Sequence, residues 1–204
     1  MPVKVGIIDY GAGNLRSAAN AVQALGFDPV LLARDEGFDG VTHLIFPGVG
    51  AFGDAMGELH RRGLADPIRQ WIAADRPFFA ICVGYQVLFD SGLESPGVPG
   101  LGVFPGKVVR FPEDGRKIPH MGWNAVRLLD PSDPLWAGLG AQPYFYFVHS
   151  FYPEPEGSDL IAMECDYAGT RFAAAIRRGN LIATQFHPEK SQQAGVRLLG
   201  NFLR

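Results

Sequence analysis

The chain has 204 residues, 47% of them hydrophobic and 12% aromatic, which is enough apolar side chain for a substantial core at a length near the upper edge of one ordinary domain. Its 18 Lys and Arg against 21 Asp and Glu leave a formal net charge of -3, without the clustered basic face of a nucleic-acid binder. No stretch approaches the ~20 apolar residues of a membrane span, and the opening Met-Pro-Val-Lys-Val-Gly-Ile-Ile is too short an apolar run for a signal peptide. Two cysteines, Cys82 and Cys165, without CxxC or paired Cys/His spacing, point to neither disulfides nor a zinc site. These features lead us to expect a single cytoplasmic domain over residues 1–204, with no nucleic-acid or membrane partner, no metal and no cofactor. The basic pairs Arg61-Arg62 and Arg116-Lys117 read as solvated surface.

Apolar strand-like runs and helix-like segments alternate through the first ninety or so residues, roughly the span of several βα units. They cover residues 3–8, 14–25, 29–32, 42–46, 51–62 and 77–82 in turn. That alternation predicts an α/β fold with a mostly parallel central sheet flanked by helices. Residues 92–106 are rich in Gly and Pro, and short runs at 107–111 and 125–129 follow without long helices between them, which predicts an antiparallel extension. Runs at 160–165, 172–177 and 181–187 read as successive strands, with Arg178-Gly179-Asn180 as a hairpin turn, before an amphipathic helix over 192–203.

Chemistry concentrates at two places. Pro77-Phe78-Phe79-Ala80-Ile81-Cys82 is an apolar run ending in Cys, followed by Val83-Gly84-Tyr85-Gln86 as a helix start. A strand-to-helix elbow of this kind exposes the sulfur above a parallel sheet, at the positive end of the next helix, where thiolate formation is favoured. Cys165 lacks such a setting and reads as a small buried hydrophobe. In Thr184-Gln185-Phe186-His187-Pro188-Glu189, the i, i+2 spacing puts His187 and Glu189 on one side of the chain if strand geometry persists, so a base and its orienting carboxylate would be neighbours. An attacked amide also needs oxyanion donors. The N–H of Val83 and the glycine loop Phe46-Pro47-Gly48-Val49-Gly50-Ala51-Phe52 can supply them, although that loop could equally be a plain strand-to-helix turn.

Together these segments resemble the class I glutamine amidotransferases over nearly the whole chain. Four further motifs are similar to the glutaminase subunits of imidazole glycerol phosphate synthases: Ile8-Asp9-Tyr10-Gly11-Ala12-Gly13-Asn14-Leu15, the Pro47 to Phe52 loop, Pro119-His120-Met121-Gly122-Trp123-Asn124, and Tyr146-Phe147-Val148-His149-Ser150-Phe151. The Gly11-Ala12-Gly13 piece has no third glycine at dinucleotide-loop spacing, so no Rossmann site is read there. The resemblance implies a flavodoxin-like fold and a Cys82, His187 and Glu189 triad. It implies oxyanion amides at Val49 and Val83, and glutamine contacts from Gly48, Gln86, Ser150 and Phe151. It further implies a partner face at His120, Met121, Trp123 and Asn124, docked as a heterodimer on a (β/α)₈-barrel cyclase that receives ammonia released from L-glutamine. Residue physics alone leaves Trp123 and His120 evenly balanced between ordinary core or surface packing and an interface, and reads His149 as structural. Ala80 and Val83-Gly84-Tyr85-Gln86 depart from the family's usual Gly before, and Leu-Gly-Met-Gln after, the Cys. The alternatives are a class I glutaminase of another pathway, a non-catalytic subunit that kept the fold, and a stand-alone cysteine hydrolase.

Overall fold

From the N-terminus the chain builds β1 (Val5–Ile8), α1 (Leu15–Ala24), β2 (Val30–Leu32), β3 (His43–Gly48), α2 (Phe52–Arg61), α3 (Ala65–Ala73), β4 (Phe78–Cys82) and the single turn α4 (Val83–Gln86). Strands dominate thereafter: β5 (Phe89–Gly92), β6 (Phe104–Arg110), β7 (His120–Ala125), β8 (Arg127–Leu128), β9 (Tyr144–His149), β10 (Phe151–Pro155), β11 (Ile161–Tyr167), β12 (Thr170–Arg178) and β13 (Leu181–Thr184), closed by α5 (Gln192–Phe202). The structure is a computed structural model and describes residues 2–11, 14–113 and 115–204. Ala12 and Gly13, on which the dinucleotide-loop question fell, lie outside the described residues.

The main sheet has eight strands in the order β2-β1-β3-β4-β13-β12-β11-β8. Its first five strands run parallel, and β12, β11 and β8 continue it antiparallel. Strands β1, β4 and β13 are buried at every position, as expected of parallel strands covered on both faces. Helix stripes complete the layers: Phe52, Ala55, Met56 and Leu59 of α2, and Leu198, Leu199 and Phe202 of α5, follow the i, i+3, i+4 spacing of one helix face. Each fully buried Phe or Leu of this kind contributes about 1.5–3 kcal/mol.

The C-terminal strands and the Gly179-Asn180 hairpin, where Arg178 pairs with Leu181, agree with the expectation. Three features differ from it. Helix α3 was not anticipated: it spans nine residues, with Pro67 in its first turn where no helical N–H bond is lost. The middle of the chain does not simply extend the main sheet. It forms a separate sheet, β10-β6-β5, in which β5 and β6 are parallel, and a two-stranded ribbon, β7-β9; only β8 joins the main sheet. Finally, Arg62 is not a solvated cation, because its Nη1 donates to the carbonyl of Asp9 at 3.0 Å and its Nε to Glu58 at 3.1 Å, which ties α2 to the loop after β1.

Candidate active site

The carboxyl ends of three adjacent parallel strands, β3, β4 and β13, converge on one cavity of about 330 Å³. Strand β4 delivers Cys82 there, β3 delivers Val49 and Gly50, β13 leads to His187, and β1 leads to Tyr10 and Asn14 behind them. Ligands of open α/β sheets bind at this edge.

Cys82 sits at φ 54 and ψ -110, a backbone conformation that side chains rarely adopt, and it turns β4 directly into α4. Glycines permit this elbow to nest against β3. A Cβ on Gly84 would lie 2.3 Å from the Phe46 carbonyl oxygen, and one on Gly48 would lie 2.5 Å from the Gly84 nitrogen. Gly48 pairs with Cys82 across the sheet, where its lack of a side chain permits close packing, and the cavity is lined by its neighbours Val49 and Gly50. The helix after the elbow is only four residues long, shorter than expected, so any dipole it offers comes from one turn of amides. Tyr85, where the sequence departs from its resemblance, is buried against Phe89 at 5.5 Å and also stays out of the cavity.

His187 and Glu189 meet as expected but by a different backbone route. Strand β13 ends at Thr184, and Pro188–Lys190 form a 3-10 turn, because Ser191 N–H bonds back to Pro188 and its hydroxyl donates to the His187 carbonyl at 2.6 Å. The turn still brings His187 Nδ1 within 2.7 Å of Glu189 Oε1. That carboxylate oxygen also accepts from Asn14 Nδ2 at 3.3 Å. The other imidazole nitrogen, Nε2, is buried, and the Cys82 thiol approaches the ring without completing a hydrogen bond, which leaves Nε2 open for a proton from the cavity side. Burial alone would push the imidazole down, but the charge of Cys82 and its hydrogen bonding toward the ring, and after them the bond to Glu189, outweigh it and hold His187 up at about 10.

Gln185 Nε2 stands 3.6 Å from Cys82 Sγ, and its Oε1 accepts from Gln86 Nε2 at 3.1 Å. Gln86 also donates to the Phe151 carbonyl at 2.9 Å, so the elbow helix is cross-linked to β10. Ser150 and Phe151 line the cavity, as do Val49, Val83 and Gln86. The N–H of Val49 approaches the buried Tyr10 hydroxyl without completing a hydrogen bond; burial and the Cys82 charge raise that phenol well above its usual range. Glu94 adds a carboxylate to the cavity wall while its Oε2 accepts from Phe52 N–H at 2.8 Å. With Ser95, which accepts from Gly53 N–H at 2.9 Å, it caps α2, whose own N-cap is Ala51.

Sequence reasoning missed Asn14, Gln185 and Glu94. Asn14 and Gln185 lay inside or beside quoted motifs, but Glu94 lay in the Gly/Pro-rich segment with no local pattern. Cys165 is buried, its thiol pushed up to about 12 by burial and then by Asp166, which suits a packing role. Among the four residues expected at a partner face, Met121 and Trp123 are 55% and 46% exposed. His120 departs from that expectation: its ring is buried, stacked 3.8 Å from Tyr167 and 4.6 Å from Phe147. Asn124 turns inward to bond the Asp166 carbonyl and His120. Alternation along a strand explains both, since Met121 and Trp123 point outward and their even-numbered neighbours do not.

A thiol on a strained elbow, a carboxylate-oriented imidazole and main-chain amides around one cavity form the equipment of nucleophilic acyl transfer. Residues 6–204 match the glutamine amidotransferase class-I family, and the chain belongs to it. Its relatives there are narrower in kind. It is 47% identical to the imidazole glycerol phosphate synthase subunit HisH of Acinetobacter baylyi, over 98% of this chain and 97% of that one. It is 48% identical to the subunit of the same name from Rhodopirellula baltica, over 96% of this chain and 95% of that one. Among solved structures, PurLQS from Thermotoga maritima shares the fold with a TM-score of 0.79 at 19% identity, covering 100% of this chain and 98% of that one.

Proposed function

We propose that this chain is one glutaminase domain that serves as the ammonia-producing subunit of an imidazole glycerol phosphate synthase. The observation that carries the chemistry is Cys82 at the elbow sharing a cavity with the His187–Glu189 pair. The near-full-length relatives of that name support the pathway.

In this reading His187 takes the Cys82 thiol proton at Nε2, and the sulfur attacks the side-chain carbonyl carbon of L-glutamine. The amides of Val83 and Val49 receive the oxyanion. Collapse breaks the C–N bond as the His187 proton passes to the departing ammonia, leaving a glutamyl thioester on Cys82. Water gives a proton to His187 and attacks the thioester, which releases glutamate and restores the thiol. Gln86 and the Ser150–Phe151 edge hold the substrate, and Glu94 offers its carboxylate to the substrate ammonium.

The ammonia travels by a protected route into a (β/α)₈-barrel cyclase, which forms imidazole glycerol phosphate and aminoimidazole carboxamide ribonucleotide. That lyase assembly is a heterodimer built in the cytoplasm, and the exposed Met121 and Trp123 belong to its contact face. Among the described residues, no helix is long and apolar enough to cross a membrane, and no group of three His, Cys, Asp or Glu could hold a metal.

Glutamate release is the test, measured for the chain alone and then with the cyclase subunit and its ribonucleotide substrate. Marked activation in the full mixture is expected, and Cys82→Ala should abolish it while leaving the complex intact. Turnover indifferent to the cyclase would move the chain to another pathway or to a free-standing hydrolase, and hydrolysis retained in Cys82→Ala would remove the nucleophile.

A further inference from the structure

Behind the cavity wall lies a set of buried polar side chains for which the chemistry above has no use. His149 ends β9, is 5% exposed and lines the cavity; His120, paired with it across the ribbon, is 3% exposed. His120 Nδ1 lies 3.1 Å from His149 Nε2, His149 Nδ1 lies 2.8 Å from the Phe151 carbonyl oxygen, and Asn124 Nδ2 lies 3.3 Å from His120 Nε2.

The role of every atom in this chain is forced from its two ends. The Phe151 oxygen can only accept, so His149 Nδ1 carries a hydrogen. At the far end, Asn124 Nδ2 donates to the Asp166 carbonyl at 3.1 Å and Asn124 Oδ1 accepts from Ala125 N–H at 2.9 Å, which fixes that amide. Its Nδ2 therefore faces His120 Nε2 as a donor, and His120 Nε2 accepts. The hydrogen between the rings then sits on His120 Nδ1 and points at His149 Nε2. Both rings are neutral Nδ1–H tautomers, because a second proton on either would set donor against donor. Burial acts in the same direction, pushing His120 down to about 4 and His149 to about 3.

The chain of bonds ends at a structural joint. His149 belongs to the ribbon, while Phe151 pairs with Arg110 of β6 in the other small sheet, so Ser150 alone spans the two. The His149 ring bridges that joint by bonding the Phe151 carbonyl, the same oxygen that Gln86 Nε2 bonds.

We propose that His149, backed by His120 and Asn124, is a positioning residue for the substrate: it fixes the Ser150–Phe151 edge and, through the shared carbonyl, the Gln86 carboxamide. This rests on the reading of the cavity as a glutamine site. It locates the effect of His149 in substrate binding and not in proton transfer, which stays with His187.

The test joins kinetics with nitrogen NMR. His149→Phe keeps a ring among Phe111, Phe172 and Phe147, whose centroids lie 5.2, 5.2 and 5.7 Å away, but removes the donor. With the cyclase present, its KM for glutamine should rise about tenfold while kcat changes far less. His149→Asn, which keeps a donor in the Nδ1 position, should recover most of that loss. In the wild-type chain labelled with ¹⁵N-histidine, the two rings should both appear as neutral Nδ1–H tautomers that do not titrate between about pH 5 and 9. An unchanged KM in His149→Phe, a loss confined to kcat, no recovery in His149→Asn, or a ring that titrates or carries its hydrogen on Nε2 would each overturn the proposal. Absence of turnover in the wild type would instead overturn the glutaminase reading, and the NMR spectrum would still decide whether the relay exists.

Discussion

Cys82 is buried at the cavity and not exposed above the sheet as the elbow pattern suggests, and it holds that place at the cost of backbone strain, since its φ of 54 belongs to a region that glycine enters freely and other residues do not. Replacing it by Gly should therefore give a protein about 1 kcal/mol more stable than Cys82→Ala, measured by urea unfolding. Equal stabilities would mean that the elbow stores no strain. The imidazole opposite carries a pH signature. His187 is held at about 10 against an ordinary 6.5, so the stability it contributes is complete below pH 6.5 and is lost as the pH rises through 10. Because the Cys82 charge is the largest influence raising it, Cys82→Ala should lower the His187 titration midpoint and shrink that loss. NMR titration of His187 in both proteins checks this, and an unmoved midpoint would uncouple the two residues. Both proposed catalytic side chains were legible as residue types in motifs. The strained φ that presents one and the orphan Nε2 of the other were not, because each depends on neighbours far along the chain.

At the scale of elements, the site depends on how closely α4 can approach β3. Gly84→Ala would drive a Cβ into the Phe46 carbonyl, so it should cost about 1–3 kcal/mol in unfolding free energy and lower glutaminase activity as the elbow shifts. Gly57→Ala makes the internal control: nothing lies within 4 Å of its Cβ in the middle of α2, and removal of a helical glycine should stabilise by about 0.5–1 kcal/mol. A destabilised Gly57→Ala, or a neutral Gly84→Ala, would contradict the packing described. The elements were readable because burial of one face repeats every three or four residues in α2, and because β4 is an unbroken apolar run. The turn that carries His187 and Glu189 was less so. Strand β13 already ends at Thr184, well before Pro188, and the 3-10 turn that follows is fixed by Ser191, whose hydroxyl bonds His187 and also accepts from Tyr146 N–H at 2.9 Å in the distant ribbon.

For the whole molecule, the β7-β9 ribbon presents Met121, Trp123 and Tyr144 outward, and Trp123 packs edge-on to Tyr146 at 6.2 Å. An exposed apolar cluster adds little to the stability of the free chain and suits a partner. Trp123→Ala should change unfolding free energy by no more than about 0.5 kcal/mol while weakening cyclase binding and the activation that goes with it. Titrating the cyclase into the variant measures the effect; normal binding and ammonia transfer would remove Trp123 from the interface. The same ribbon hydrogen-bonds the His187 turn through the Tyr146 carbonyl, which accepts from His187 N–H at 2.9 Å, so the proposed contact face is tied directly to the proposed base.

The sequence by itself determined the alternation of strands and helices, the parallel core and which residues we propose as nucleophile, base and carboxylate, because each is written in local periodicity or in a motif a few residues long. The tertiary structure alone decided which side chains stand behind them. Asn14 reaches Glu189 across 175 positions, Gln185 reaches Cys82 across 103, and His120 turns into the core instead of toward a partner. The physical reason is that hydrogen-bond partners of a buried polar group are chosen by sheet order and strand register, and neither is encoded within the span of a motif.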